Sequence, residues 1–190
     1  MGYSAGVFVA FAFFAVPAWA ADDCGEKRAK VDIAKFLKNL PNRQGEKPHT
    51  SRVPVGNTAH QQMSQNAPRE LQEELYARVS KFPGIVTYAS QVSVQGARAF
   101  TLLPSCAKAP KDFFMEGTEF GHLHPPYDGS VHVRLPVDVA KEVFSKGWGE
   151  PHPRGTTPML YGPRDKQELE IVATLIEIAY QHATGRSAAK

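Results

Sequence analysis

The stretch GHLHPPYDGSVHVRLP, from Gly121 to Pro136, constrains the fold more than any other part of this 190-residue chain. Two alternating runs flank a Pro-Pro-Tyr-Asp-Gly turn, the pattern of a β-hairpin. Val131, Val133 and Leu135 share one face of the second strand, so His132 and Arg134 point to the other. On the first strand, Leu123 opposes Phe120, His122 and His124. With Leu123 joining the valines in the core, His124 pairs near Ser130 and His122 near His132, around a five-residue loop from Pro125 to Gly129. The three imidazoles then share one face, with directly opposed Cβ atoms about 5 Å apart. A four-residue loop would put His132 across the sheet from the other two, against the core pattern.

The rest of the chain supplies more strands and several helices. EKRAKVDIAKFLKNLP carries Val31, Ile33, Phe36, Leu37 and Leu40 at helical spacing and stops at Pro41. PRELQEELYARVSKF predicts a second helix, with Leu71, Leu75, Tyr76 and Val79 in one stripe. IVTYASQVSV and ARAFTLLP, separated by Gln95-Gly96, predict a hairpin. VDVAKEVFSKG is a short helix and TPMLYGP a last strand. DKQELEIVATLIEIAYQHATG is the strongest helix: Asp165 caps it, Glu168 reaches back, and Gly185 ends it. The polar segment NRQGEKPHTSRVPVGNTAHQQMSQNAP is too long for a simple connection and is expected to pack irregularly over the domain or shape a site. Hairpins flanked by helices predict an α+β fold: a single domain with an antiparallel sheet of about five strands and helices packed on one face.

Residues 1–20, MGYSAGVFVAFAFFAVPAWA, form an uncharged apolar run that Pro17 breaks before the small-x-small sequence Ala18-Trp19-Ala20. This is read as a signal peptide preceding a domain over residues 21–190, with an uncleaved membrane anchor as the alternative, although the run is short for spanning about 30 Å of hydrocarbon. Export, periplasmic or secreted, puts Cys24 and Cys106 in an oxidising compartment where they are expected to pair. The competing role for Cys106 is a nucleophile served by a histidine. A net charge of +3 with dispersed Lys and Arg gives no basic stripe, so nucleic acid is not an expected partner, and a membrane is one only if the leader stays uncleaved.

Three histidines on one strand face suit several roles. His122, His124 and His132 can bind a metal in the manner of cupin-type His-x-His sites. Such a site wants a carboxylate and a further histidine; Glu150 and His152 are available, but within the Gly/Pro-rich stretch KGWGEPHPRG, read as a loop. The plain alternative is a set of partly exposed sheet histidines with local hydrogen bonds. In the same loop Trp148 and His152 would form an aromatic-lined pocket beside the histidine face, and a non-catalytic module that holds a small ligand there is a third reading.

LPNRQGEKP, HLHPPYDGSVHV, GWGEPHP and MLYGPRDKQELEIV together resemble the fungal bioluminescence luciferases and their luciferase-like domains, in the same order and over about Leu37 to Gly185. His122, His124, Asp128, His132, Trp148, His152, Tyr161, Pro163 and Arg164 match the family pattern. The resemblance implies oxidation of a 3-hydroxy-α-pyrone by molecular oxygen through a peroxidic intermediate that loses carbon dioxide, with no cofactor; the partners are then O2 and a small enolisable substrate. It further implies His122, His124, His132 and His152 as catalytic candidates, and Trp148, Asp128, Tyr161 and Arg164 as substrate-binding ones. Pro125, Pro126 and Tyr127 depart from the pattern, as do Glu150 and Pro151 in the Trp-Gly loop. This implies a shared scaffold with an altered pocket, and an exported member that does not emit light from the fungal substrate.

Overall fold

Six strands form the sheet of the computed structural model, which describes residues 24–51, 60–153, 155 and 157–187. The expected leader lies outside the described residues. The strands are β1 (Ile85–Ala89), β2 (Arg98–Leu102), β3 (Glu119–Leu123), β4 (Val131–Val133), β5 (Gly149–Pro151) and β6 (Pro158–Leu160). They form one antiparallel sheet in the order β1-β2-β3-β4-β6-β5. The helices are α1 (Ile33–Asn39), α2 (Arg69–Val79), α3 (Val137–Ser145) and α4 (Lys166–Ala183). The fold is the expected α+β domain with one more strand than the sequence suggested. Gly149–Pro151, read as loop because of its glycine and prolines, pairs with β6 at the sheet edge, where a strand tolerates proline.

One face of the sheet is apolar. Phe100, Leu102, Phe120, Leu123, Val131, Val133 and Leu160 meet Leu71, Leu75 and Val79 of α2, Val139 and Val143 of α3, and Leu169, Val172, Leu175, Ile176 and Ala179 of α4 in one buried cluster. The 18-residue α4 begins at Asp165, whose Oδ1 accepts from Glu168 N at 2.8 Å. The Glu168 carboxylate reaches back to Arg164 N at 2.9 Å, and Gly185 takes φ +68° beyond the last turn.

Three local expectations are corrected. The first helix begins only at Ile33, because Asp32 caps it by accepting from Lys35 N, and the preceding Val31 N donates to Gln181 of α4 instead. The β1–β2 connection is wider than Gln95-Gly96: β1 ends at Ala89, and Ser90 turns its hydroxyl to Glu119. Phe120 does not share the histidine face. On β3, Gly121 pairs with Phe100 but Glu119 pairs with Thr101, so Phe120 is an extra, bulged residue. Its ring turns into the core, 6.4 Å from Phe100 and 6.3 Å from Tyr180 between centroids.

The other sheet face is covered by the long polar segment, here called the strap (residues 41–51 and 60–67 among those described). Arg43 N donates to Lys146 O at 2.8 Å, Thr50 bridges to Gln62, and Gly162 N donates to Gln62 Oε1 at 2.8 Å. Arg164 clamps it further, donating to Gln44 O at 2.7 Å and Gln65 Oε1 at 3.0 Å.

Cys24 and Cys106 are joined by a disulfide that closes 82 residues and fastens the start of the described chain to the loop after β2. This excludes the nucleophile role for Cys106 in the oxidised protein, and its sulfur is fully buried. Closing a loop of this length stabilises by about 4 kcal/mol through the unfolded chain. Replacing both cysteines with alanine is therefore expected to lower the melting temperature by about 10 °C. A calorimetric scan that finds no change contradicts the bridge.

Candidate functional site

The β3–β4 register brings the three histidines together. His122 stands directly opposite His132, and His124 N donates to Ser130 O at 2.9 Å, leaving the loop Pro125 to Gly129. Inside that loop Asp128 N and Gly129 N both donate to Pro125 O, and Gly129 takes φ +74°, a conformation that favours glycine. Because His122 and His124 are two residues apart on a strand, their rings stack at 5.4 Å and 9°. His132 lies across from both, at 5.2 and 4.8 Å between centroids.

Two more imidazoles complete the cluster. His60, from the strap, lies 5.5 Å from His132, and His152, just past β5, lies 5.4 Å from His132 and 5.2 Å from His60. His132 is thus the centre of five rings. The reading of partly exposed sheet histidines is overturned for the strand residues: His122, His124 and His132 are all buried, at 2%, 1% and 6% exposure. His152 is half-buried and forms the accessible rim.

Carboxylates hold the rings. Glu119 Oε1 lies 2.7 Å from His122 Nδ1, and Asp128 Oδ2 lies 2.6 Å from His124 Nδ1. An ionised carboxylate can only accept, so each Nδ1 carries a proton, and the lowered His122 keeps its lone pair on Nε2. Ser130 donates to Asp128 Oδ1 from both N and Oγ, at 3.0 and 2.6 Å, and Ser90 Oγ donates to Glu119 at 2.9 Å. Glu150 accepts from His60 Nε2 at 2.7 Å, from Tyr161 OH at 3.1 Å and from Lys47 at 2.6 Å. His60 Nδ1, His122 Nε2 and His132 Nε2 are buried without a hydrogen-bond partner among the described residues.

The electrostatics favour neutral rings. Burial lowers His132 well below its usual value, and the neighbouring imidazoles lower it further. Burial also outweighs Glu119 in lowering His122 and outweighs Glu150 in lowering His60. For Glu150, burial pushes the carboxyl up, but hydrogen bonds from Lys47, Thr50 and His60 prevail and hold it at about 2. Burial and the Glu150 carboxylate raise the Tyr161 phenol, so it stays protonated and donates.

The remaining residues singled out from sequence have structural partners. Asp128 is fully buried behind His124, and Tyr161 supports Glu150. Arg164 grips Glu168 and the strap. Trp148 belongs to the apolar core, with its indole Nε1 donating to Pro41 O at 2.7 Å. Three members of the site escaped sequence reasoning: His60, Glu119 and the placement of Glu150 on a strand. His60 lies in a stretch without periodicity. Glu119 reaches the histidine face only through the bulge at Phe120, and no sequence signal marks that bulge.

Residues 117–179, which span the hairpin, α3, β5, β6 and most of α4, match the luciferase domain family. Proteins described as luciferases are similar over most of the chain. That of Neonothopanus nambi is 28% identical over 174 residues, and that of Armillaria mellea is 30% identical over 181; each alignment covers 82% of this chain and 65% of the relative. The Armillaria gallica luciferase is 29% identical over 79% of this chain and 63% of its own. This chain therefore spans just under two thirds of the length of these relatives. No solved structure matches it. The chain is thus similar to the luciferase domain family over residues 117–179 and to fungal luciferases over most of its length.

The lowered histidines have a consequence for stability. Below the unfolded value near 6.5, the unfolded chain binds protons that folded His132, His122 and His60 resist. Stability is therefore full above about pH 6.5 and falls as the pH drops below it. Chemical denaturation at pH 7.5 and 5.5 is expected to show a lower midpoint at 5.5, and His132→Gln is expected to flatten that dependence. An unchanged midpoint contradicts the neutral assignment.

Proposed function

We propose that this domain catalyses the reaction of molecular oxygen with a small enolisable aromatic or α-pyrone compound, without an organic cofactor. One observation carries this reading: a buried cluster of imidazoles, two of them aligned by carboxylates, presents ring nitrogens that no group among the described residues satisfies. An unmade hydrogen bond on a buried polar atom costs about 1–3 kcal/mol, so a guest is expected to meet these nitrogens.

The chemistry asks for such a place. The substrate loses its enolic proton to an imidazole, and His152, half-buried at the rim, is placed to receive it. The enolate carbon then bonds to dioxygen. Both oxygen atoms enter the peroxide, whose collapse releases carbon dioxide, so no external reductant is required. The enclosed face keeps water from the peroxide. The likeness to proteins described as luciferases supports this class of reaction. The differences at Pro125, Pro126 and Tyr127 fall in the loop beside His124 and point to a different substrate from the fungal one. Export of the protein, with the disulfide kept oxidised, is part of the same reading.

Oxygen uptake by the purified protein is the test, with 3-hydroxyhispidin and simpler hydroxy-α-pyrones as substrates. Uptake is expected with at least one of them, and His132→Ala is expected to abolish it while circular dichroism stays native. His152→Ala is expected to lower turnover by about 10²-fold or more, the scale of a lost general base. Full activity in His132→Ala, or no uptake with any enolisable compound, contradicts the proposal.

A further inference from the structure

The hairpin also has the make-up of a metal centre. We propose that His122, His124 and His132 bind one first-row divalent transition ion through their Nε2 atoms, with coordination positions left open toward His60 and His152. This rests on the same site as the oxygen chemistry above and adds an ion to it.

Four observations support it. First, the ligating nitrogens of the three histidines lie within 4.8 Å of one another. A tetrahedral ion with bonds of about 2.0 Å holds its ligands about 3.3 Å apart, so each ring needs to move by less than about 1 Å. Second, His122 Nε2 and His132 Nε2 are buried and have no partner among the described residues, although both rings are almost wholly enclosed. Third, the far nitrogens are already held: Glu119 grips His122 Nδ1 and Asp128 grips His124 Nδ1. That carboxylate–histidine arrangement fixes the tautomer, aims the lone pair and makes the ring a better ligand. Fourth, charge is out of balance. Glu119 and Asp128 are buried carboxylates, and among the described residues their ion pairs are with these histidines, not with a lysine or arginine. A divalent cation between the rings compensates both charges, which are costly to bury alone.

The donor set selects the ion. Three imidazoles and no thiolate suit zinc, iron, nickel or copper, and a carbonyl-and-carboxylate cation such as calcium is disfavoured. The open side is where an enolate oxygen or water would bind, with His152 beside it to take the proton. His60 is tied to Glu150 and stands 5.5 Å from His132 between ring centroids.

The experiment is performed on the full chain, purified without a histidine tag, stripped with chelator and titrated with Zn(II) and Co(II) in the absence of substrate. One equivalent per chain is expected, with the visible d–d absorption of low-coordinate Co(II) and a rise in melting temperature of about 5 °C or more at saturating metal. His124→Ala is expected to lose the absorption and the thermal shift. Glu119→Gln, which leaves all three ligands in place, is expected to weaken binding by about 10- to 100-fold. Absence of a stoichiometric site in the wild type overturns the proposal, as does undiminished binding by His124→Ala. If His124→Ala does not fold, Glu119→Gln decides, and an unchanged affinity there overturns it. Because binding is read without substrate, its failure leaves the oxygen reaction standing, whereas absent oxygen uptake by the metal-loaded protein overturns that reaction alone.

Discussion

Everything at the candidate site depends on His122 standing directly opposite His132 in the β3–β4 pair. With side chains alternating along each strand, that single register fixes the rest. It stacks His124 beside His122, commits Leu123, Val131 and Val133 to the core, and leaves a loop long enough for Asp128 to turn back under His124. A slip of one residue would carry the imidazoles into the core and the valines to the strap. The apolar face packed against α4 opposes such a slip, and the stability of the core is therefore what holds the polar site in place.

That register was legible because it follows from a binary pattern and a loop length. The alternation in HLHPPYDGSVHV admits one pairing that puts Leu123 with the valines, and the observed pairing is that one. The strong periodicity of α4 and its cap at Asp165 were legible for the same reason. Glu119 was not, since a bulge is an exception to alternation: Phe120 and His122 have the same parity in sequence and point to opposite faces in the fold. His60 was hidden in a segment whose order comes from tertiary hydrogen bonds through Gln62, Gln65 and Arg164 and not from any local pattern. In the Trp-Gly loop, glycine and proline masked an edge strand that is three residues long. The tryptophan between two glycines is buried, and its one polar atom reaches Pro41 O, a partner too distant in sequence for any local pattern to mark.

The site pays for its composition in stability. Five imidazoles and three carboxylates occupy the face of a small sheet, several without full hydrogen bonding, where an apolar packing of equal size would be more stable. The fold tolerates this because the opposite face is a continuous apolar layer, the strap is fastened at both ends, and the disulfide anchors the N-terminal side. Buried polar groups retained at such a cost are characteristic of functional sites. Four of the five histidines, His122, His124, His132 and His152, lie within the span shared with the luciferase domain family, which agrees with that view.

The central claim is that Glu119 and Asp128 hold a proton on Nδ1 of His122 and of His124, turning each Nε2 toward the cluster. Nitrogen-15 NMR of the imidazoles in metal-free protein at pH 7 tests it directly, because protonated and unprotonated ring nitrogens have well separated shifts. A proton on Nδ1 is predicted for both residues, with Nε2 unprotonated on His122 and that tautomer lost from His122 in Glu119→Gln. A ring protonated at Nε2 and not at Nδ1, or a doubly protonated His122, would contradict it.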